Sequence, residues 1–274
     1  DVSCCLIEAG AAAVEERDAL PGDAILVTHF LLEPGAAEKY RAAESALAEL
    51  GVPRSAITIR TLEEQDWTAL SRGHFTARAY GERLWVRPAW EEAQPPEGRA
   101  VIVLDPGLAF GTGRHPTTEL CLRAIDRMCA ESPPHRFLDL GCGSGILGAS
   151  ALKMGAGEVI GLDLDPDAVS SARELARRNG LEGRMRVEPG TLEPARIGEW
   201  WGAVNFLAAN IFLEPLILLA PRMAAALAPA GRGVLSGIGY EQEQALVRAV
   251  ENAGLSLRGR KQLEEWMSLE IEKP

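Results

Sequence analysis

Phe137-Leu138-Asp139-Leu140-Gly141-Cys142-Gly143-Ser144-Gly145 is the stretch from which the fold can be read. A short apolar run, Phe137 to Leu140, meets three alternate glycines, and Leu147 to Lys153 then reads as a helix. Glycines at such a junction let the main chain turn sharply from strand to helix and let a ligand lie against bare backbone. Asp163 stands eighteen residues after Gly145, at the end of the next apolar run, Val159-Ile160-Gly161-Leu162. A carboxylate there can accept both ribose hydroxyls of an adenosyl group. Turn and acid together predict a crevice for an adenosine-containing cofactor.

Gly143-x-Gly145-x-x-Gly148 also matches the dinucleotide fingerprint, a weak signal alone. Two features favour S-adenosylmethionine. Asp139 stands immediately before the turn, where a carboxylate repels a pyrophosphate but suits the ammonium of a methionine moiety, directly or through water. Asp139 and Gly141 also start the turn two residues earlier than the dinucleotide pattern does. Asp139, Gly141, Gly143, Gly145 and Asp163 are therefore expected to bind S-adenosylmethionine. An NAD(P)-dependent oxidoreductase and a non-catalytic adenosyl-binding module are the distant alternatives.

Downstream the pattern continues as helix (Ala168 to Asn179), strand (Ala203 to Ala209), helix (Leu216 to Leu227), strand (Gly233 to Ile238), helix (Glu241 to Ala253) and strand (Trp266 to Ile271). Such alternation predicts an α/β fold, a parallel sheet covered by helices. The apolar stretch Phe212 to Leu227 is interrupted by Glu214, Pro215, Pro221 and Arg222, so it reads as a buried helix and not a membrane span. Upstream, residues 1–61 read as a small α+β unit. Its pieces are a helix tail (Val2 to Ala9), strands (Ala11 to Arg17, Ala24 to Leu32), a helix (Glu38 to Leu50) and a strand (Ala56 to Arg60). That order is ferredoxin-like without its first strand, so the unit is expected to be truncated at its N-terminus. Residues 62–98 read as a linker helix (Thr61 to Gly73) and connecting strands (Arg78 to Trp90), and 99–274 as the cofactor-binding domain.

The totals narrow the partners. Among 274 residues, 47% hydrophobic and 24% charged is the balance of a globular protein with a real core. A net charge of −11 disfavours a protein that coats nucleic acid, which needs clustered Lys and Arg, and is compatible with a basic partner as well as with plain solubility. Five cysteines without a CxxC pair suit a reducing cytosol, and four scattered histidines give no metal-ligand spacing. Residues 1–20 carry acids and no basic start before an apolar block, so no signal peptide is expected there. A cytoplasmic protein with no metal, no membrane and no direct nucleic-acid binding is the expectation.

Two further constellations carry chemistry. Asp105-Pro-Gly-Leu-Ala-Phe110-Gly-Thr-Gly-Arg-His115-Pro-Thr-Thr118 reads either as a lid whose glycines hinge over the cofactor, with Phe110 against it, or as a loop in which Thr117 or Thr118 caps the helix Glu119 to Met128. Asn210 ends the apolar strand Phe206-Leu-Ala-Ala, beyond whose carboxyl end ligands sit in doubly wound sheets. Its amide oxygen can accept an N–H from an attacking amine, which makes it the candidate catalytic residue. Alternatively it caps the helix from Leu213 onward.

With these residues in hand, the chain resembles the PrmA family, bacterial methyltransferases that modify ribosomal protein eleven of the large subunit. The resemblance rests on Asp105 to Thr118, Asp139 to Gly145, Gly161-Leu-Asp-Leu-Asp-Pro166, Ala209-Asn210-Ile211, Pro215-Leu216 and Leu235-Ser-Gly-Ile238. Gly81-Glu-Arg-Leu-Trp85 and Glu265-Trp266 add to it. It implies a Rossmann-like class I methyltransferase domain, a mostly parallel seven-stranded sheet with helices on both faces, preceded by a ferredoxin-like domain that recognises the substrate protein. It implies S-adenosyl-L-methionine as cofactor, with Thr118, Gly141, Asp163 and Asn210 matching residues that contact it. The implied products are methylated lysine and N-terminal amines of a basic ribosomal protein; another protein or a small-molecule amine is the alternative substrate. Three departures stand out: Phe212-Leu-Glu214 where small residues are usual, Asn205 in place of an acid, and the missing first strand.

Overall fold

The computed structural model describes residues 13–18, 24–29, 36–57, 76–105 and 115–274, and its contacts divide the chain into two units, Asp1–Asp66 and Trp67–Pro274. In the first unit β1 (Ala13–Asp18) and β2 (Ala24–His29) pair antiparallel, Ala13 opposite His29 and Asp18 opposite Ala24. Helix α1 (Ala36–Glu49) follows and stops at Gly51, whose φ of +81° no β-carbon has to tolerate. The expected strand from Ala56 needs correction. Arg54–Ala56 form a 3-10 turn, with Ala56 N donating to Pro53 O at 2.9 Å. Pro53 fixes the entry to this turn at φ −70°, and Glu44 holds Arg54 at 2.7 Å. The expectations for residues 2–9, 58–60 and 61–73 lie outside the described residues.

The second unit opens with a three-stranded sheet: β3 (Arg78–Tyr80) antiparallel to β4 (Leu84–Pro88), which is parallel to β5 (Ala100–Leu104). Its inward residues Tyr80, Leu84, Val86, Ile102 and Leu104 join Cys121, Ile125 and Cys129 of helix α2 (Pro116–Glu131) in one apolar cluster. Asp126, buried in α2, anchors the β3–β4 turn by accepting from Glu82 N at 2.9 Å and Arg83 Nε at 3.0 Å.

The main sheet follows as β6 (Arg136–Leu140), α3 (Ile146–Lys153), β7 (Glu158–Asp163), α4 (Pro166–Arg178), β8 (Met185–Pro189), α5 (Pro194–Ile197), β9 (Val204–Asn210), α6 (Leu213–Ala226), β10 (Leu227–Gly239), α7 (Glu243–Asn252), β11 (Ser256–Leu263) and β12 (Trp266–Glu272). The spatial order is β11-β12-β10-β9-β6-β7-β8. The five strands from β10 to β8 run parallel, and β11 and β12 close one edge as an antiparallel hairpin. Strands alternate their side chains between faces. Phe137 therefore packs on the α2–α3–α4 side, where its ring stacks on Phe206 at 5.4 Å, and Leu138 packs on the α6–α7 side. From β6 the chain builds outward to β7 and β8, then returns to lay β9 on the other side of β6. The strand order reverses between β6 and β9, and a crevice opens there beyond their carboxyl ends.

The stretch 212–227 is not buried all round. Leu216, Leu219, Ala220 and Met223 face the sheet, whereas Phe212 and Leu218 are each 77% exposed, because α6 covers the sheet with one stripe only. Gly145, the first cap residue of α3, sits at φ +80°, and a β-carbon there would stand 2.9 Å from Ala172 Cβ. Left-handed backbone with a side chain costs about 1–2 kcal/mol, and the overlap adds to it. Gly145→Ala is expected to destabilise the fold by about 2 kcal/mol, roughly 4–8 °C in melting temperature, read by calorimetry.

Candidate functional site

Three glycines at positive φ, Gly141 (+68°), Gly143 (+52°) and Gly145 (+80°), carry the chain from β6 into α3. Gly141 N and Cys142 N both donate to Leu162 O, at 2.8 and 3.0 Å, so the turn is tied to the end of β7. Asp163, at that end, completes the tie: its Oδ2 accepts from Gly143 N at 2.8 Å and its Oδ1 from Asp165 N at 3.0 Å. A carboxylate held by two backbone donors keeps lone pairs for two hydroxyls. Gly141 has no room for a side chain, since a β-carbon would lie 2.2 Å from Ile211 Cγ2. The crevice floor is bare main chain between β6 and β9.

Asp139 lies on the α3 side of β6 and is fully buried. Its Oδ2 accepts from Gly148 N at 2.9 Å, and its Oδ1 has no hydrogen-bond partner. Burial pushes its carboxyl up to about 7 against the opposing Gly148 bond, and the nearby Asp163 charge adds to the rise. An orphaned buried carboxylate oxygen is costly unless a cation completes it. The ammonium of a methionine moiety has the required charge, reaching it directly or through a water.

The rise has consequences for stability. An unfolded aspartate loses its proton near pH 4, the folded one near 7. The folded chain therefore holds the extra proton between these values, so this group withdraws stability as pH rises from about 4 to 7, and the loss is complete above 7. At ~1.4 kcal/mol per unit the full shift is about 4 kcal/mol. Asp139→Asn removes that cost but leaves the two N–H donors of its amide unpaired, worth about 1–3 kcal/mol. The variant is expected to be about 2 kcal/mol more stable than the parent at pH 8 in urea unfolding, and no more stable at pH 4.

Across the crevice, Asn210 ends β9. Its Nδ2 donates to Thr118 Oγ1 at 3.2 Å, and its Oδ1 is buried among protein atoms without a partner. Asn210 caps no helix. The N-cap of α6 is Phe212, with no side-chain cap bond, so the carboxamide oxygen is not spent on a helix end. Neither Thr117 nor Thr118 caps α2 either: the cap is His115, whose Nδ1 accepts from Thr117 N at 3.3 Å. Pro116 takes the first helical position, and Thr118 falls in the first turn, almost fully buried against Asn210. His115 went unassigned in the sequence although it stands inside the 105–118 signature. Phe110 lies outside the described residues.

The rim beyond these strands is apolar and acidic. Leu164 follows β7, Phe212 follows β9 and Tyr240 follows β10, and all three are exposed. Glu214 is exposed in the first turn of α6. Asn205 has a local role: its Oδ1 accepts from Arg136 N at 2.9 Å and registers the start of β9 against β6. Among the described residues, no group of His, Cys, Asp or Glu could hold a metal ion, and no helix is long and apolar enough to cross a membrane.

Known proteins carry the same architecture. A family model described as ribosomal protein L11 methyltransferase (PrmA) matches residues 9–274. A ribosomal protein L11 methyltransferase of Symbiobacterium thermophilum is 37% identical over 277 aligned positions, 98% of this chain and 88% of that protein. One from Geobacter sulfurreducens is 40% identical over 226, covering 82% of this chain and 72% of that one. The crystal structure of ribosomal protein L11 methylase from Lactobacillus delbrueckii subsp. bulgaricus superposes with a TM-score of 0.66 at 31% identity, covering 73% of this chain and all of that one. The seven-stranded sheet is thus the Rossmann-like sheet of S-adenosylmethionine-dependent methyltransferases, and the chain belongs to the ribosomal protein L11 methyltransferase (PrmA) family.

Proposed function

We propose that this enzyme methylates lysine side chains and an N-terminal α-amine of ribosomal protein L11 in the cytoplasm, with Asn210 as the residue that meets the amine. The observation that carries the reading is the Asn210 carboxamide. It is fixed through Nδ2 by Thr118, and its oxygen is left without a partner beyond the carboxyl end of β9. S-adenosylmethionine, when bound, supplies an activated methyl group that an amine lone pair takes while sulfur keeps the electrons of the broken C–S bond. Asp163 holds the ribose hydroxyls, Asp139 balances the ammonium of the methionine moiety, and the glycine turn supplies backbone contact. Thr118 lines the crevice beside Asn210, and Phe110 belongs to the segment expected to cover it.

The residues need not perform strong acid–base chemistry. A lysine amine has a pKa of ~10.4, so its neutral form at pH 7 costs about 4–5 kcal/mol at ~1.4 per unit. Burying the amine in the crevice lowers that cost by disfavouring its ammonium form. Asn210 Oδ1 accepts one N–H of the neutral amine and aims the lone pair in line with the methyl group, the positioning from which most of the acceleration comes. The proton released from the product amine passes to solvent or to the exposed Glu214 at the rim. A net charge of −11 draws a basic ribosomal protein toward the enzyme and disfavours direct nucleic-acid binding.

The test is to incubate the enzyme with label-bearing S-adenosylmethionine and ribosomes from cells lacking this activity. Label in the L11 band, mapped by mass to lysine and N-terminal amines, is the expected result. Label confined to another protein or to small molecules overturns the substrate assignment.

A further inference from the structure

We propose that His115 is a positioning residue for methyl transfer: its imidazole, acting as a hydrogen-bond acceptor, caps α2 and thereby holds Thr118 where it fixes the carboxamide of Asn210. The inference rests on the role given to Asn210 above and adds a device that sets it.

The chain of contacts is short. His115 stands before α2 with extended backbone (φ −66°, ψ 136°), and its Nδ1 accepts from Thr117 N at 3.3 Å while lying 2.7 Å from Thr117 Oγ1. Its backbone oxygen accepts from Glu119 N at 3.1 Å, the first bond of the helix. Thr118 lies between these two anchored residues, and its Oγ1 receives Asn210 Nδ2 at 3.2 Å. The Asn210 oxygen is thereby left buried without a partner of its own. On its other side, the His115 ring meets Trp266 edge-on, with centroids 4.6 Å apart. Trp266 opens β12 opposite Gly239, so the cap is braced by the edge hairpin.

An aspartate, asparagine, serine or threonine is the usual residue for a cap. Histidine can serve only with Nδ1 unprotonated and the proton on Nε2. Its surroundings favour that form on balance. Partial burial lowers its pKa below the ordinary 6.5, and the positive end of α2 opposes a second proton. Glu264 and Glu265 in the β11–β12 turn act in the opposite direction. Glu119, the acid in the first turn of α2, is engaged by Arg78 at 2.8 Å and Arg123 at 2.5 Å. On protonation Nδ1 becomes a donor facing the Thr117 N–H, and the cap is lost.

The experiment compares His115→Ala, His115→Asn and Asn210→Ala with the parent enzyme under saturating L11 and labelled donor between pH 6 and 9, with donor affinity measured separately by calorimetry. His115→Ala is expected to lower kcat by about ten- to a hundredfold while the donor Kd changes less than about threefold, the signature of misplaced reacting groups. His115→Asn, which keeps a cap acceptor, restores kcat to within about threefold of the parent. It also loses the part of the acidic fall in kcat that tracks histidine. Equal loss of kcat in the alanine and asparagine variants overturns the proposal, as does a parental kcat in His115→Ala. A loss of donor affinity as large as the loss of kcat also counts against it. If Asn210→Ala itself retains parental turnover, the role given to Asn210 fails independently of the His115 result.

Discussion

Asp163→Ala is expected to weaken S-adenosylmethionine binding at least about a hundredfold, some 3 kcal/mol, in calorimetric titration. Hydrogen bonds to a charged acceptor contribute about 1.5–3 kcal/mol each, and the reading assigns two ribose hydroxyls to this carboxylate. The same oxygens hold Gly143 N and Asp165 N, so their removal also loosens the glycine turn on which the donor lies. Asp163→Asn keeps the shape and one acceptor oxygen, so it forfeits the charge and one of the two backbone bonds while leaving the other. It should retain the parental melting temperature within a few degrees and still lose most of the affinity. Parental affinity in both variants would show that the ribose is held elsewhere.

Asn210→Ala is expected to reduce kcat by about 10²–10³, or about 3–4 kcal/mol of transition-state stabilisation, with donor Kd raised no more than about threefold. The asymmetry follows from where the oxygen lies. A contact made to the amine at the moment of transfer affects kcat and leaves ground-state donor binding alone. Asn210→Asp is a sharper probe: it keeps the acceptor but forfeits the donor to Thr118, so partial activity is expected. Matching losses of donor affinity and turnover would assign Asn210 to donor binding and deny it a role toward the amine.

Much of this architecture was legible because the chemistry that builds it is local. The run Phe137–Leu140 needs two buried faces, and the glycines after it need positive φ. Both are properties of the residues themselves, and they mark a cofactor crevice at the turn after Leu140; that β9 forms its other wall is known only from the sheet order. Strands β8 and β11 escaped notice for a physical reason. Met-Arg-Val-Glu-Pro buries two side chains, and Ser-Leu-Arg-Gly-Arg-Lys-Gln-Leu is an edge strand that faces water and carries three basic residues. Neither shows the apolar run by which the central strands are recognised.

Within the site, what could not be read was the partnering across sequence distance. Asn210 and Thr118 are ninety-two residues apart, and only the sheet order places the start of α2 beside the end of β9. Local pattern offered a threonine cap on α2 as one of two readings, whereas the structure uses His115, because Pro116 takes the first helical position and moves the cap back to the residue before it. The burial of Asp139, and the raised carboxyl that follows, likewise depends on α3 folding back over β6.

The most direct test of the central claim is a crystal structure of this chain with S-adenosylhomocysteine. The prediction is that both ribose hydroxyls lie about 3 Å from the Asp163 carboxylate, with the amino group toward Asp139 and the sulfur on the side of Asn210. A nucleoside bound away from the turn, with Asp163 contacting only Gly143 and Asp165, would contradict it.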